Sequence, residues 1–312
     1  METFKKWINL VPELREHSLS YCRFEELFRY ALCSKLCNSE IQKCNTTAPE
    51  LVYLKELQKD HEGMMIYLEY NWPRFNQLFA KVDETHYKIA KHCVDLENPE
   101  KFTILKGDAH EAALQYLANR YKYVKASRTK EIQIDCKNWP IEWKMIPAIY
   151  QIEKWNIVLH SSMYDQCMST LNMNPNIKEL TFSTELGNLD EITQASEFFN
   201  SKLFQQLYKG RFFMKSFIQD DAFLKSQASL LTLKCDTISN NAINRKIQNW
   251  YDGGEGDFVI TFVTPRRINN VLSNLPFEQE RNGKIRIRRP DGNIGVAFLT
   301  NNGVSFRAVK QF

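Results

Sequence analysis

The chain has 312 residues, 43% hydrophobic and 25% charged, which fits one or two folded domains and excludes a disordered chain. Eleven glycines and ten prolines exclude a collagen-like or low-complexity sequence. The formal charge is +4, but residues 281–312 hold seven Lys or Arg against Asp291 alone, which is +6, so residues 1–280 sum to −2 and lack the positive field of a nucleic-acid-binding body.

The start, Met1 to Trp7, has lysines but no long apolar run behind them. No stretch approaches the roughly 20 apolar residues of a membrane span. An intracellular protein, cytoplasmic or nuclear and without membrane contact, is expected. In that setting the eight cysteines are expected to be reduced thiols in the interior.

The chain up to residue 125 reads as helical. Glu13 to Cys22, Phe24 to Leu36 and Glu50 to Lys59 carry apolar residues at helical spacing, and Arg74 to Asp95 does so more loosely. Asp108 to Glu111 has the spacing of a capping box and opens a helix through Leu114, Leu117 and Tyr121. From Thr129 onward short β-rich runs appear: Glu131 to Cys136, Trp155 to His160, Lys178 to Ser183, Phe212 to Phe217, Leu230 to Cys235 and Phe258 to Val263. Helical segments such as Leu189 to Phe199 and Asn241 to Trp250 separate them. The irregular spacing of roughly 20–30 residues is compatible both with leucine-rich-type repeats and with ordinary βα units.

The end of the chain predicts an antiparallel β-meander. Asn282-Gly283, Asp291-Gly292 and Asn302-Gly303 read as type I′ hairpin turns, with both central residues at positive φ. The alternating runs Lys284 to Arg289, Asn293 to Thr300 and Val304 to Val309 lie between and after them. The fold class expected is α+β: a helical N-terminal region, then a mixed α/β domain, leucine-rich-repeat-like in one reading, closing on the meander.

Two stretches carry a resemblance. In residues 7–41, Val11-Pro12 opens a helix, Leu19-Ser20-Tyr21-Cys22 continues it, Glu26-Leu27-Phe28 starts a second, and Leu32-Cys33-Ser34-Lys35 closes it. This resembles an F-box, with Val11 where the family has Leu. Pro12 suits a first helical turn, and a hairpin of about 40 residues is too small to bury both of its apolar faces. Spare apolar side chains would then form a docking surface. Further on, Ser229 to Cys235, then Ala242 to Trp250 with Gly253-Gly254, then Ile287-Arg288-Arg289-Pro290-Asp291-Gly292, look like the nematode F-box-associated domain. The last strand, Val304 to Val309, lacks that domain's Trp.

The resemblance implies an F-box-like domain over residues 1–45, a helical connecting region over 46–125 and an F-box-associated-like domain over 126–312. It implies a substrate-recognition adaptor of a cullin–RING ubiquitin ligase and no enzyme. Val11, Pro12, Leu14, Leu19, Leu27, Phe28 and Leu32 would grip a Skp-type adaptor, and the C-terminal domain an unknown protein target. A different reading is a stand-alone interaction module whose N-terminal helices only cap the fold. A third is RNA binding by Arg286, Arg288 and Arg289 with Phe298 and Phe306, against which the alternating cations read better as guards on an outer strand.

No motif points to chemistry or to a cofactor. Cys33 and Cys37, with Cys22 and Cys44 nearby, lack a second pair at zinc spacing, so core thiols are the default. His86, His92 and Cys93 with Asp83 and Asp95 read as a solvated helix face. Gly253-Gly254-Glu255-Gly256 follows a helix and precedes a strand, the reverse of a phosphate loop. Cys167 after His160 carries no mark of a nucleophile and base. Asp60-His61-Glu62 and Asp108-His110-Glu111 read as charge clusters at helix starts.

Overall fold

The computed structural model describes residues 10–20, 30, 33, 37, 51–57, 62–69, 74–91, 102–122, 129–137, 151–160, 163–184, 196–280 and 282–309. The chain forms two compact units, Met1–Asp135 with Pro140–Ile152, and Cys136–Trp139 with Glu153–Phe312. Among the described residues no helix is long and apolar enough to cross a membrane.

The first unit holds helix α1 (Pro12–Ser20), five strands β1 (Leu51–Leu57), β2 (Gly63–Glu69), β3 (Arg74–Lys81), β4 (His86–Lys91) and β5 (Phe102–Lys106), helix α2 (Ala109–Lys122) and strand β6 (Glu131–Asp135). Its sheet runs β6-β1-β2-β3-β4-β5. The β6–β1 pair is parallel and every other pair antiparallel. Val52, Leu54, Ile66, Phe79, Ile132 and Ile134 are buried on one face, and the Phe79 ring lies 5.5 Å from that of Tyr116 on α2. On the other face Leu78, Ala80 and Ala90 pack with Leu57 and Met65.

This corrects the expectation of a helical connecting region over 46–125, where α2 is the one helix described and five strands stand. In β1, Leu51, Leu54 and Leu57 fit a helical face, but Val52 and Leu54 fit a period of two equally well, and the ladder with β2 and β6 selects the latter. Strand β3 is buried on both faces from Gln77 to Ala80, so it shows no alternation to betray it. The β3–β4 turn carried a readable signal. Asp83 Oδ1 accepts from the Thr85 amide at 2.7 Å, a side-chain-closed turn that a helix interior would not favour.

The second unit is a ladder of parallel strands in sequential spatial order: β7 (Lys154–Leu159), β8 (Glu179–Thr184), β9 (Lys209–Lys215), β10 (Leu230–Lys234) and β11 (Asp257–Thr261). The strands begin at Lys154, Glu179, Lys209, Leu230 and Asp257, an uneven repeat of the kind that the β-rich runs imply. Between them run α3 (Tyr164–Asn172), α4 (Ser196–Asn200), α5 (Lys202–Gln206), α6 (Asp220–Lys225) and α7 (Asn240–Tyr251). Nothing reverses the strand order, as a doubly wound sheet would. Residues alternate between buried and half-buried along β7, β8 and β10. Aromatic contacts seat the helices on the buried face: Phe198 and Phe204 against Phe212, Phe223 against Phe258, and Trp250 against Phe306. The period-of-two runs expected from residue 131 onward are therefore strands, with β9 beginning at Lys209, ahead of its expected start at Phe212.

The predicted meander is present. Strands β12 (Phe277–Gln279), β13 (Ile285–Arg288), β14 (Ile294–Thr300) and β15 (Gly303–Val309) continue the sheet antiparallel from β11 through β15, β14 and β13 to β12. Its turns differ from the type I′ expected. Gly283 and Gly292 have φ of +79° and +91°, but Asn282 and Asp291 are not at positive φ. Gly292 N–H donates to Arg289 O at 3.0 Å and Arg289 N–H to Asn293 O at 2.9 Å, with the same pattern from Glu280 to Lys284. Each is a type I turn closed by a glycine bulge. Asp291 and Asn282 Oδ1 also accept the amides of Asn293 and Lys284, each at 3.0 Å, which fastens the turns from the side-chain side.

Gly303 is no turn glycine at all. Asn301-Asn302 is the loop, and a Cβ on Gly303 would stand 2.4 Å from Ile260 O of the neighbouring strand. Gly303→Ala is therefore expected to push β15 from β11 and cost about 1–3 kcal/mol. Gly283→Ala meets open space and carries only the positive-φ penalty, about 1 kcal/mol. Thermal unfolding midpoints of the two variants check the order; a higher cost at Gly283 would refute it.

Candidate functional site

Helix α1 starts where a proline-led first turn requires. Leu14 and Arg15 N–H both donate to Val11 O, at 3.1 and 3.2 Å, and Pro12 has no donor to leave unpaired. Val11 and Leu14 are 55% and 52% exposed, and Leu10 and Pro12 are exposed beside them. They form a small apolar edge at the helix start. Leu19 points the other way and is 2% exposed. Leu27, Phe28 and Leu32 lie outside the described residues.

The groups considered for chemistry are scattered or occupied. Cys33 is exposed and Cys37 buried, while Cys22 and Cys44 lie outside the described residues. Among the described residues no three His, Cys, Asp or Glu side chains are grouped to hold a metal. Asp83 sits in the β3–β4 turn and His86 begins β4, neither on a helix, and His92, Cys93 and Asp95 lie outside the described residues. The Thr85 amide first, then His86, hold the Asp83 carboxyl down at about 2. Glu62 pairs with Lys81 at 3.1 Å, and Asp60 and His61 lie outside the described residues. Asp108 caps α2, accepting from the His110 and Glu111 amides at 2.9 Å. Cys167 is buried in α3 and Cys235 past β10; burial raises both thiols, Cys235 to about 12, so neither is a thiolate at neutral pH. Gly253 at φ +112° and Gly254, donating to Asn249 O at 2.9 Å, close α7.

Most of the groups of the RNA reading are used internally. Phe306 is fully buried, its ring 5.0 Å from Trp250. Arg289 pairs with Asp291 and donates to Trp250 O at 3.0 Å and Gly254 O at 3.1 Å, tying the β13–β14 hairpin to the C-terminus of α7. Arg286 pairs with Glu280 at 2.6 Å. Arg288 and Phe298 remain exposed.

The second unit also presents a sheet face opposite its helices. On β9 and β10 this face carries Arg211, Phe213, Lys215 and Lys234. Thr181 of β8 and Thr232 of β10 flank Arg211 in register. The β9–β10 register then shifts, so that Lys215 and Lys234 stand side by side and Phe213 projects at 49% exposure. Two acids on the same face are engaged: Glu179 with Lys209 at 2.7 Å, and Asp257 with the Ala308 amide at 2.8 Å. Sequence reasoning missed this patch because it placed the basic character at 281–312 and started the β9 run at Phe212. The readable signal was the alternation Lys209, Arg211, Phe213, Lys215 against Gly210, Phe212, Met214.

The chain is similar to the uncharacterized F-box protein T20B12.4 of Caenorhabditis elegans, 21% identical over 289 residues, 86% of this chain and 72% of that protein. No family model matches the chain. No solved structure matches it.

Proposed function

We propose that the chain recruits targets to a cullin–RING ubiquitin ligase, docking a Skp-type adaptor through its N-terminal helices and a protein target through its second unit. The observation that carries this reading is the similarity, along most of the chain, to a protein named as an F-box protein. The exposed edge of Val11, Pro12 and Leu14 agrees with it, since apolar side chains facing water at a helix start suit capture of another protein. Leu19, buried, would support that edge from behind; Leu27, Phe28 and Leu32 would extend it. The parallel ladder with helices on one face suits a leucine-rich-repeat-like, F-box-associated half. The chain would contribute recognition and no bond-making step.

Val11→Asp with Leu14→Asp tests the face. Both side chains are exposed, so the fold is expected to stand. In a pull-down of the full chain with a purified Skp-type adaptor, capture is expected to fall by roughly 100-fold, as when two apolar anchors are lost. Undiminished capture would refute the assigned face. No capture by the unaltered chain would refute the adaptor role and leave a stand-alone interaction module.

A further inference from the structure

We infer that the open face of β9 and β10 docks an acidic peptide segment of a protein partner, with Arg211, Lys215 and Lys234 taking its carboxylates and Phe213 an apolar side chain. This deepens, and rests on, the reading of the second unit as the half that captures a target.

Four observations converge on it. Lys215 and Lys234 are register partners on adjacent strands, with backbones about 4.8 Å apart. Like charges on paired positions repel each other; Lys215 Nζ rests over the Phe217 ring, 5.8 Å from its centroid, which leaves both ammonium groups open to a carboxylate. None of Arg211, Lys215 and Lys234 makes an ion pair with a described residue, although Glu179 and Asp257 sit on the same face; those acids are engaged at the other end of their strands. Phe213 stands half in water between these cations, where a core-facing sheet position would bury it. The hydroxyls of Thr181 and Thr232 bracket Arg211 and add hydrogen-bonding groups beside its guanidinium. Cations flanking one exposed ring, with hydroxyls alongside, match a peptide of alternating carboxylates and apolar groups.

A single-stranded RNA fits less well. Stacking successive bases takes a series of exposed rings, and this face offers one. The patch is a local cluster of cations and not a basic surface.

The test uses the full chain and fluorescence anisotropy. The probes are a fluorescein-labelled peptide of Asp and Glu interspersed with leucines, its counterpart with Asn and Gln in place of the acids, and a labelled oligouridylate. The acidic peptide is expected to bind, to weaken as salt is raised, and to lose roughly 10-fold or more in affinity in Lys215→Glu with Lys234→Glu. Phe213→Ser is expected to weaken it further without changing the salt dependence. Circular dichroism and capture of the Skp-type adaptor are expected to be unchanged in both variants. Three results would overturn the inference: no binding of the acidic peptide by the unaltered chain, binding indifferent to the charge reversal, or tighter binding of the oligouridylate through the same residues. Peptide binding that survives in a chain unable to capture the adaptor supports this site while sinking the ligase reading.

Discussion

Phe212→Ala is expected to lower the stability of the second unit by about 3–5 kcal/mol, the range for emptying a buried aromatic site. Phe212 is fully buried on β9, and its ring centroid lies 5.3–5.8 Å from those of Phe182, Phe198, Phe199 and Phe204. It touches every other ring of the cluster and so joins β8 and β9 to α4 and α5. Those neighbours cannot all collapse into the space it leaves without abandoning their tilted and edge-to-face contacts, so the cavity persists and the cost sits high in the range. Phe213→Ala is the internal control. It is the next residue on the same strand, faces the other way, and is expected to change stability by less than about 0.5 kcal/mol. Urea unfolding followed by the fluorescence of the buried Trp155 and Trp250 measures both. A lower midpoint for Phe213→Ala than for Phe212→Ala would show that β9 is turned over or shifted by one residue, since a one-residue slip exchanges the two faces.

The contrast between neighbours explains why the second unit was legible in the sequence. From β7 to β11 buried positions alternate with more open ones, because helices cover one face and leave the other half-exposed. The hairpin dipeptides were legible too, since Asn-Gly and Asp-Gly stop a strand in any turn type. The turn type was not. Type I′ and type I with a bulge both place glycine at positive φ and differ in whether Asn282 and Asp291 adopt it as well, a choice made by one residue of register. Gly303 shows the same limit: a glycine demanded by a turn and a glycine demanded by a neighbouring carbonyl are identical in one dimension.

The first unit was illegible for a different reason. Strand β3 is buried on both faces, and a continuous apolar run has no period by which a strand can be told from a loose helix. Strand β1 satisfies both periods at once. Pairing partners far away in the chain decide such cases: Val52 pairs with Ile132, a contact that no local window contains. The candidate sites divide likewise. The Val11 and Leu14 edge is read from a local helix start. The cation pair Lys215 and Lys234 exists only because two strands, separated in the chain by α6, align in register.

Lys246→Met is expected to destabilise the second unit by roughly 2 kcal/mol near pH 7.5, the scale of orphaning buried acceptors. The deficit is expected to widen as pH rises. Lys246 on α7 sends its Nζ to the end of α6, donating to Phe223 O at 3.2 Å, Leu224 O at 3.4 Å and Ser226 O at 2.6 Å. These carbonyls have no further helical turn to receive them, so the ammonium caps the helix from outside. Two effects oppose each other. Burial disfavours the charged amine and lowers its pKa from 10.5 to about 8. Losing the donor orphans carbonyls at about 1–3 kcal/mol each when water cannot reach them. Three acceptors outweigh one desolvated amine, which fixes the sign of the substitution near neutrality. The pH dependence follows from the lowered pKa. Between pH 8 and 10.5 the unfolded chain still holds a proton that native Lys246 has released, so the unaltered protein gains stability with rising pH, on the order of 1–3 kcal/mol across that window. Below pH 8 both states are protonated and the gain is absent. The methionine variant has no proton to release at this position. Subtracting its urea midpoints from those of the unaltered chain at pH 7.5, 8.5 and 9.5 therefore isolates this one group from the other lysines and tyrosines. A difference that shrinks with pH would mean that the three carbonyls hold the proton on Nζ more firmly than burial expels it, and that Lys246 works as a permanently charged cap.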